Sequence, residues 1–167
     1  KSFPWKYFRK IIGKKYLHED KDGWNYYIEE DLNRESPIWE FAEVLEPLLL
    51  TRYRDGERQV LEYLMYQEMW QTSPVLFTNE RIVYKAAAAP DIMGVKNPTM
   101  VSIALDGSDR KTANDIPYHA IEGMCEDDGW IYYTGWSSGD TFSKPLCRIA
   151  ADFSGGAQFV EDIPGYL

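Results

Sequence analysis

The feature that most constrains this chain is a tandem repeat in its C-terminal half. Asp127-Asp128-Gly129-Trp130-Ile131-Tyr132-Tyr133-Thr134-Gly135 is followed by Leu146-Cys147-Arg148-Ile149-Ala150-Ala151-Asp152, and a fainter copy of both lies upstream. Ile82-Val83-Tyr84-Lys85 stands where Ile131-Tyr132-Tyr133-Thr134 stands, and Val101 to Ser108 stands where Cys147 to Ser154 stands. Pro98 matches Pro145 at a spacing of 47, while Ile103 matches Ile149 and Asp106 matches Asp152 at 46. Asp115-Ile116-Pro117 then matches Asp162-Ile163-Pro164, again at 47. Several identities in one order, with so little drift, are hard to attribute to chance.

Fixed periods in the forties mark repeat architectures, and a four-stranded propeller blade occupies about that length. Side chains along Trp130-Ile131-Tyr132-Tyr133 alternate between two faces, yet all are apolar or aromatic, so such a strand needs cover on both faces. In the following strand Val101, Ile103 and Leu105 share one face, matched by Cys147, Ile149 and Ala151. The other face holds Ser102 and Ala104, matched by Arg148 and Ala150. Cys147 therefore takes the place of Val101 and reads as a small core hydrophobe. Residues 73–167 are expected to form two tandem β-repeats of about 47 residues.

Residues 1–72 read differently, as a mixed or helical segment. Ser36-Pro37 has the capping hydroxyl and first-turn proline of a helix start, followed by an apolar run through Leu45. After Asp55 the residues Val60, Leu61, Leu64, Met65 and Met69 fall on one stripe at helical spacing, which predicts a second helix to about Gln71 and hence an αα-hairpin. Asp22-Gly23-Trp24-Asn25-Tyr26-Tyr27-Ile28 reads as a turn and strand that echoes Asp128 to Tyr133, but with no second matching strand after it. The expected class is α+β: an N-terminal helical segment followed by an incomplete propeller.

Ile131-Tyr132-Tyr133-Thr134-Gly135-Trp136 and Ile103-Ala104-Leu105-Asp106-Gly107-Ser108-Asp109-Arg110 resemble the YWTD-type β-propeller pattern, an aromatic strand and then a strand ending in Leu-Asp-Gly-Ser-x-Arg. Over residues 74–167 the chain is still more similar to a bacterial family of propeller-like repeats that has no assigned activity. That resemblance implies an extracytoplasmic or cell-surface location and specifies architecture rather than chemistry. Two blades do not close a ring of four to eight. The chain is then expected to be part of a longer propeller, to assemble between copies, or to cover its two sheets with residues 1–72. Lys1 is not an initiator, which favours a trimmed or excised chain.

The net charge of −9 argues against general nucleic-acid binding, where phosphate neutralisation needs a basic face. Charge is uneven: Lys1, Lys6, Arg9, Lys10, Lys14 and Lys15 make residues 1–18 a basic arm without an acid. Trp5, Tyr7, Phe8, Ile11 and Ile12 interleave with these cations, so the arm either packs on the acidic body or contacts a membrane surface or partner. The two cysteines make no disulfide framework.

Candidate chemistry is sparse. Gly135-Trp136-Ser137-Ser138-Gly139 matches a nucleophile-elbow pattern, but Asp140 to Pro145 leads into a strand instead of the helix that motif requires. His119 is the only plausible base nearby. The acidic turns at Asp20-Lys21-Asp22-Gly23 and Glu126-Asp127-Asp128-Gly129 complete no calcium loop, and the His and Cys residues lack zinc spacing, so no metal or cofactor is expected. Trp136, Asp140 and Phe142, in the connection after the Tyr-Tyr strand, are the candidate ligand-binding residues, since aromatic rings beside acids bind sugars or cationic groups. The expected function is a non-catalytic binding or scaffolding module recognising a protein or glycan through loops or a blade face, with oligomers allowed. The alternatives are a hydrolase using the Ser137 loop, and an acidic cytoplasmic protein that sequesters a basic partner.

Overall fold

The computed structural model describes residues 14–31, 45–67, 75–86, 99–113, 120–136 and 143–164. The chain divides into two compact units, Lys1–Trp70 and Gln71–Leu167. Among the described residues there is no helix, and the strands form three four-stranded antiparallel sheets. The first sheet holds β1 (Lys15–Glu19), β2 (Asn25–Glu30), β3 (Leu45–Arg54) and β4 (Glu57–Gln67). The second holds β5 (Leu76–Phe77), β6 (Arg81–Ala86), β7 (Thr99–Ala104) and β8 (Lys111–Ala113). The third holds β9 (Ala120–Asp127), β10 (Trp130–Trp136), β11 (Ser143–Ala150) and β12 (Gln158–Pro164). Each sheet is a meander in which strands consecutive in sequence are neighbours in space. These β-sheet repeats are consistent with a propeller-like architecture.

This overturns the α+β class and the helical reading of the N-terminal segment. The first predicted helix falls largely outside the described residues, and its end lies in β3. The second is β4, joined to β3 by the two-residue turn Asp55-Gly56. Both turn residues have positive φ, 51° and 85°, the conformation that matches the twist of a tight hairpin and that an Asp-Gly pair supplies. The misleading stripe has a local cause. Thr51 pairs with Val60 and Leu50 with Glu62, leaving Leu61 as the extra residue of a β-bulge. One inserted residue breaks the period-2 alternation, so Val60, Leu61 and Leu64 take on helical spacing without a helix.

In the second unit the sheets β5–β8 and β9–β12 pack face to face. Val83, Met100 and Ala113 meet Ile121, Ile131, Tyr133, Cys147, Ile149 and Ala151 in one core cluster. Burying each large member contributes about 1.5–3 kcal/mol. A polar clamp crosses the same interface. Ser102 Oγ donates to the Ala151 carbonyl, and Arg81 Nε donates to Ser102 Oγ at 2.6 Å. Arg81 also donates to the Ser102 carbonyl and, through Nη1, to Asp109 Oδ2 at 2.7 Å. The Arg81 hydrogen bond is the main reason the Asp109 carboxyl is held below the usual carboxylate range. Beside the clamp, Lys85 Nζ reaches the Ile121 carbonyl at 3.2 Å, and burial lowers the affinity of Lys85 for its proton.

β6 and β7 are buried on both faces: Ile82, Val83, Tyr84, Val101, Ser102 and Ile103 are all inaccessible or nearly so. The expectation of two-faced burial at Trp130 to Tyr133 fails by half. Ile131 and Tyr133 point into the core, whereas Trp130 and Tyr132 are half-exposed.

Candidate functional site: an uncovered repeat face

Strand register aligns the three sheets residue by residue. In the third sheet Tyr132 of β10 pairs with Arg148 of β11, which pairs with Gln158 of β12. In the first, Tyr26 of β2 pairs with Arg52 of β3, which pairs with Gln59 of β4. A tryptophan stands two residues before each tyrosine. The contacts repeat as well. Arg52 lies over the Trp24 ring at 4.0 Å and Arg148 over the Trp130 ring at 4.2 Å. Arg52 Nε donates to Gln59 Oε1 at 2.7 Å, and Arg148 Nε donates to Gln158 Oε1 at 3.0 Å. Even the bulge recurs: Val160 is the extra residue between the Cys147–Phe159 and Leu146–Glu161 pairs, as Leu61 is in the first sheet.

The same Trp–Tyr–Arg–Gln constellation thus occurs twice, in two environments. In the first sheet Trp24 is 6% exposed and Tyr26 is 0% exposed. In the third sheet Trp130 and Tyr132 are half-buried and Gln158 is exposed, whereas Arg148 and its counterpart Arg52 are half-buried alike. The second sheet carries a divergent version at the same positions, Arg81, Val83, Ser102 and Lys111. That face is the one against which the third sheet packs. The open face of β9–β12 is therefore the register counterpart of a packing face.

The opposite faces also correspond. Tyr26, Val83 and Tyr132 are each followed by a tyrosine: Tyr27, Tyr84 and Tyr133. Tyr84 and Tyr133 are buried. Tyr27 is instead half-buried on the corresponding face of the first sheet, where it meets Tyr16 and Tyr53 edge-on at 5.6 and 5.5 Å. Lys14 Nζ sits 4.1 Å from the Tyr27 ring centroid and 3.2 Å from that of Tyr53. Glu29 closes the group. It accepts from the Tyr53 hydroxyl and from Arg58 Nη2 at 3.0 Å, with Lys14 at 3.6 Å. Burial alone would raise the Glu29 carboxyl, but hydrogen bonds from Tyr53, Arg58 and Thr51 and the Arg58 charge outweigh it and hold it below its ordinary value. Tyr16, Val60 and Tyr63 extend this surface and are exposed.

At the start of the first sheet Asp20 closes the β1–β2 loop. Its Oδ1 accepts from the Asp22 and Trp24 amides at 2.9 and 3.0 Å, and its Oδ2 from the Tyr26 hydroxyl at 2.8 Å. Burial pushes the Asp20 carboxyl up, but these hydrogen bonds and the Arg52 charge together bring it below its ordinary value. Burial and the bond to Asp20 push the Tyr26 phenol up to about 12. The acidic turn is thus a hairpin support for the tryptophan face.

Of the residues singled out from the sequence, Trp136 ends β10 opposite Ala120. Asp140, Phe142, Ser137 and His119 lie outside the described residues. Among the described residues no group of three or more His, Cys, Asp or Glu side chains is placed to hold a metal ion. Cys125 is exposed and Cys147 buried, and no disulfide joins them. The tandem repeat pairs Ser102 with Arg148 but does not reach Arg52 and Gln59. Gln59-Val60-Leu61-Glu62 against Gln158-Phe159-Val160-Glu161 is the sequence signal that points to them. No protein-family model, no curated protein and no solved structure matches the chain.

Proposed function

We propose that this chain is a non-catalytic binding or scaffolding module that recognises a protein, or secondarily a glycan, through a blade face and its adjoining loops. The observation that carries the reading is the half-exposed Trp130–Tyr132–Arg148 face, whose counterpart at Trp24 and Tyr26 is buried. An indole with a guanidinium stacked on it offers a large apolar area and directed donors, the combination that dominates protein interfaces. The same pairing of ring and polar group suits a sugar ring. Trp136, which ends β10, and Asp140 and Phe142, which come next in sequence, are the adjoining residues in this reading. The resemblance to extracytoplasmic repeats supports a location outside the cytoplasm, and the cations and aromatics of residues 1–18 suit a membrane surface beside it. The acidic balance suits partners other than nucleic acid.

The test is a comparison of wild type, Trp130→Ala and Arg148→Glu on a glycan array and a displayed protein-fragment library. Binding that falls at least tenfold in both variants supports the reading; binders that ignore both substitutions overturn it. Turnover of ester or peptide substrates, lost on Ser137→Ala, would favour the hydrolase instead. Salt-sensitive binding of a basic protein, indifferent to Trp130 and Trp136, would favour the acidic interaction protein.

A further inference from the structure

We infer that the open face of β9–β12 takes the tyrosine face of β1–β4 from a second copy of the chain, so that copies associate head to tail. This rests on the binding-module reading above and names a partner for its blade face.

The argument is continuity with an interface already present. Within the second unit, the Arg81/Val83/Ser102/Lys111 face of one sheet packs against the Ile131/Tyr133/Cys147/Ile149 face of the next. The Trp130/Tyr132/Arg148/Gln158 face is the first of these surfaces repeated one sheet later. Its matching surface is the opposite face of a sheet, the one that carries Tyr133 in the third sheet and Tyr27 in the first. Register places Asn25, Tyr27, Thr51 and Tyr53 there, where the third sheet has Ile131, Tyr133, Cys147 and Ile149. Trp130, Tyr132 and Arg148 on one surface and Asn25, Tyr27 and Tyr53 on the other keep partial exposure, with Thr51 buried between them, while Val83, Ser102, Ile131, Tyr133, Cys147 and Ile149 inside the second unit are buried. The chemistry is also complementary. Arg148 and Trp130 present a cation and an indole, and the tyrosine face presents exposed aromatic rings at Tyr16 and Tyr63 on which such a cation can stack. Because the two surfaces differ, the contact is heterologous, and an open assembly keeps one free surface of each kind at its ends until a ring closes.

The test uses the asymmetry. Variant one carries Trp130→Ala and Arg148→Glu; variant two carries Val60→Lys and Tyr63→Lys, both at exposed positions. Far-UV circular dichroism and Tm first establish that both variants fold as the wild type does. Sedimentation at rising micromolar concentrations is then expected to show wild type growing beyond the 19.4 kDa monomer and each variant staying monomeric. An equimolar mixture is expected to stop at twice the monomer mass, since each variant retains only one working surface. A monomeric wild type overturns the inference, as does a variant that associates alone or a mixture that stays monomeric. If wild type is monomeric yet Trp130→Ala and Arg148→Glu still abolish binding of a glycan or another protein, only this inference falls and the binding-module reading stands.

Discussion

Ser102 Oγ donates a hydrogen bond to the main-chain carbonyl of Ala151, joining the middle strand of one sheet to the turn that follows the middle strands of the next. Ser102 is fully buried and also accepts from Arg81 Nε, so one hydroxyl satisfies two groups inside a sheet-to-sheet interface. Ser102→Ala leaves the buried carbonyl and the guanidinium each one partner short. The expected loss is about 1–3 kcal/mol, read as a lowered urea midpoint with an unchanged slope. Ser102→Thr, which keeps the hydroxyl, should recover part of the loss, and equal midpoints for the Ala variant and wild type would contradict the clamp.

Gly56 separates the strand reading of residues 45–67 from the helical one by sign. With φ at 85°, Gly56→Ala forces a side chain into the left-handed region and should destabilise the hairpin by about 1–2 kcal/mol. A glycine near a helix start would give the opposite result, because alanine is the better helix former. Urea unfolding of the single variant, with hydrogen exchange across β3 and β4, checks both sign and place.

The Asp20–Tyr26 pair predicts two pH limbs. The folded-state carboxyl of Asp20 lies below its ordinary value of 3.8, so the stability it provides is present above that value and disappears as pH falls through the lower, folded value. The folded-state phenol of Tyr26 lies above its ordinary value of 10.0, at about 12, so its contribution is complete below 10.0 and disappears as pH rises towards 12. Asp20→Asn should flatten the acid limb, and Tyr26→Phe the alkaline limb, of Tm against pH. An alkaline spectrophotometric titration should show one phenol ionising last, and that step should be missing in Tyr26→Phe.

How far the fold is legible in the sequence follows from these same residues. The two repeats in residues 73–167 can be read because their connections keep the spacing at 46 or 47. The copy in the first sheet carries the closer match in Trp24, Tyr26, Arg52 and Gln59, yet no fixed period reveals it. Its second and third strands are joined by residues 31–44, where the third sheet uses only 137–142. The bulge at Leu61 then gives β4 the spacing of an amphipathic helix, which outweighs the Asp55-Gly56 hairpin signal. The site is hidden for a different reason. Whether Trp130 packs or stays open depends on whether another sheet lies against it, and strand pattern alone is the same in either case.

The contrast between a shielded Trp24 and a more exposed Trp130 is the central claim, and acrylamide quenching of tryptophan emission tests it most directly. At protein concentrations dilute enough to keep copies apart, Trp130→Phe should remove a readily quenched component and Trp24→Phe a protected one. If Trp130→Phe instead removes the protected component, or the two variants quench alike, the face of β9–β12 is not open and the account of its function is wrong.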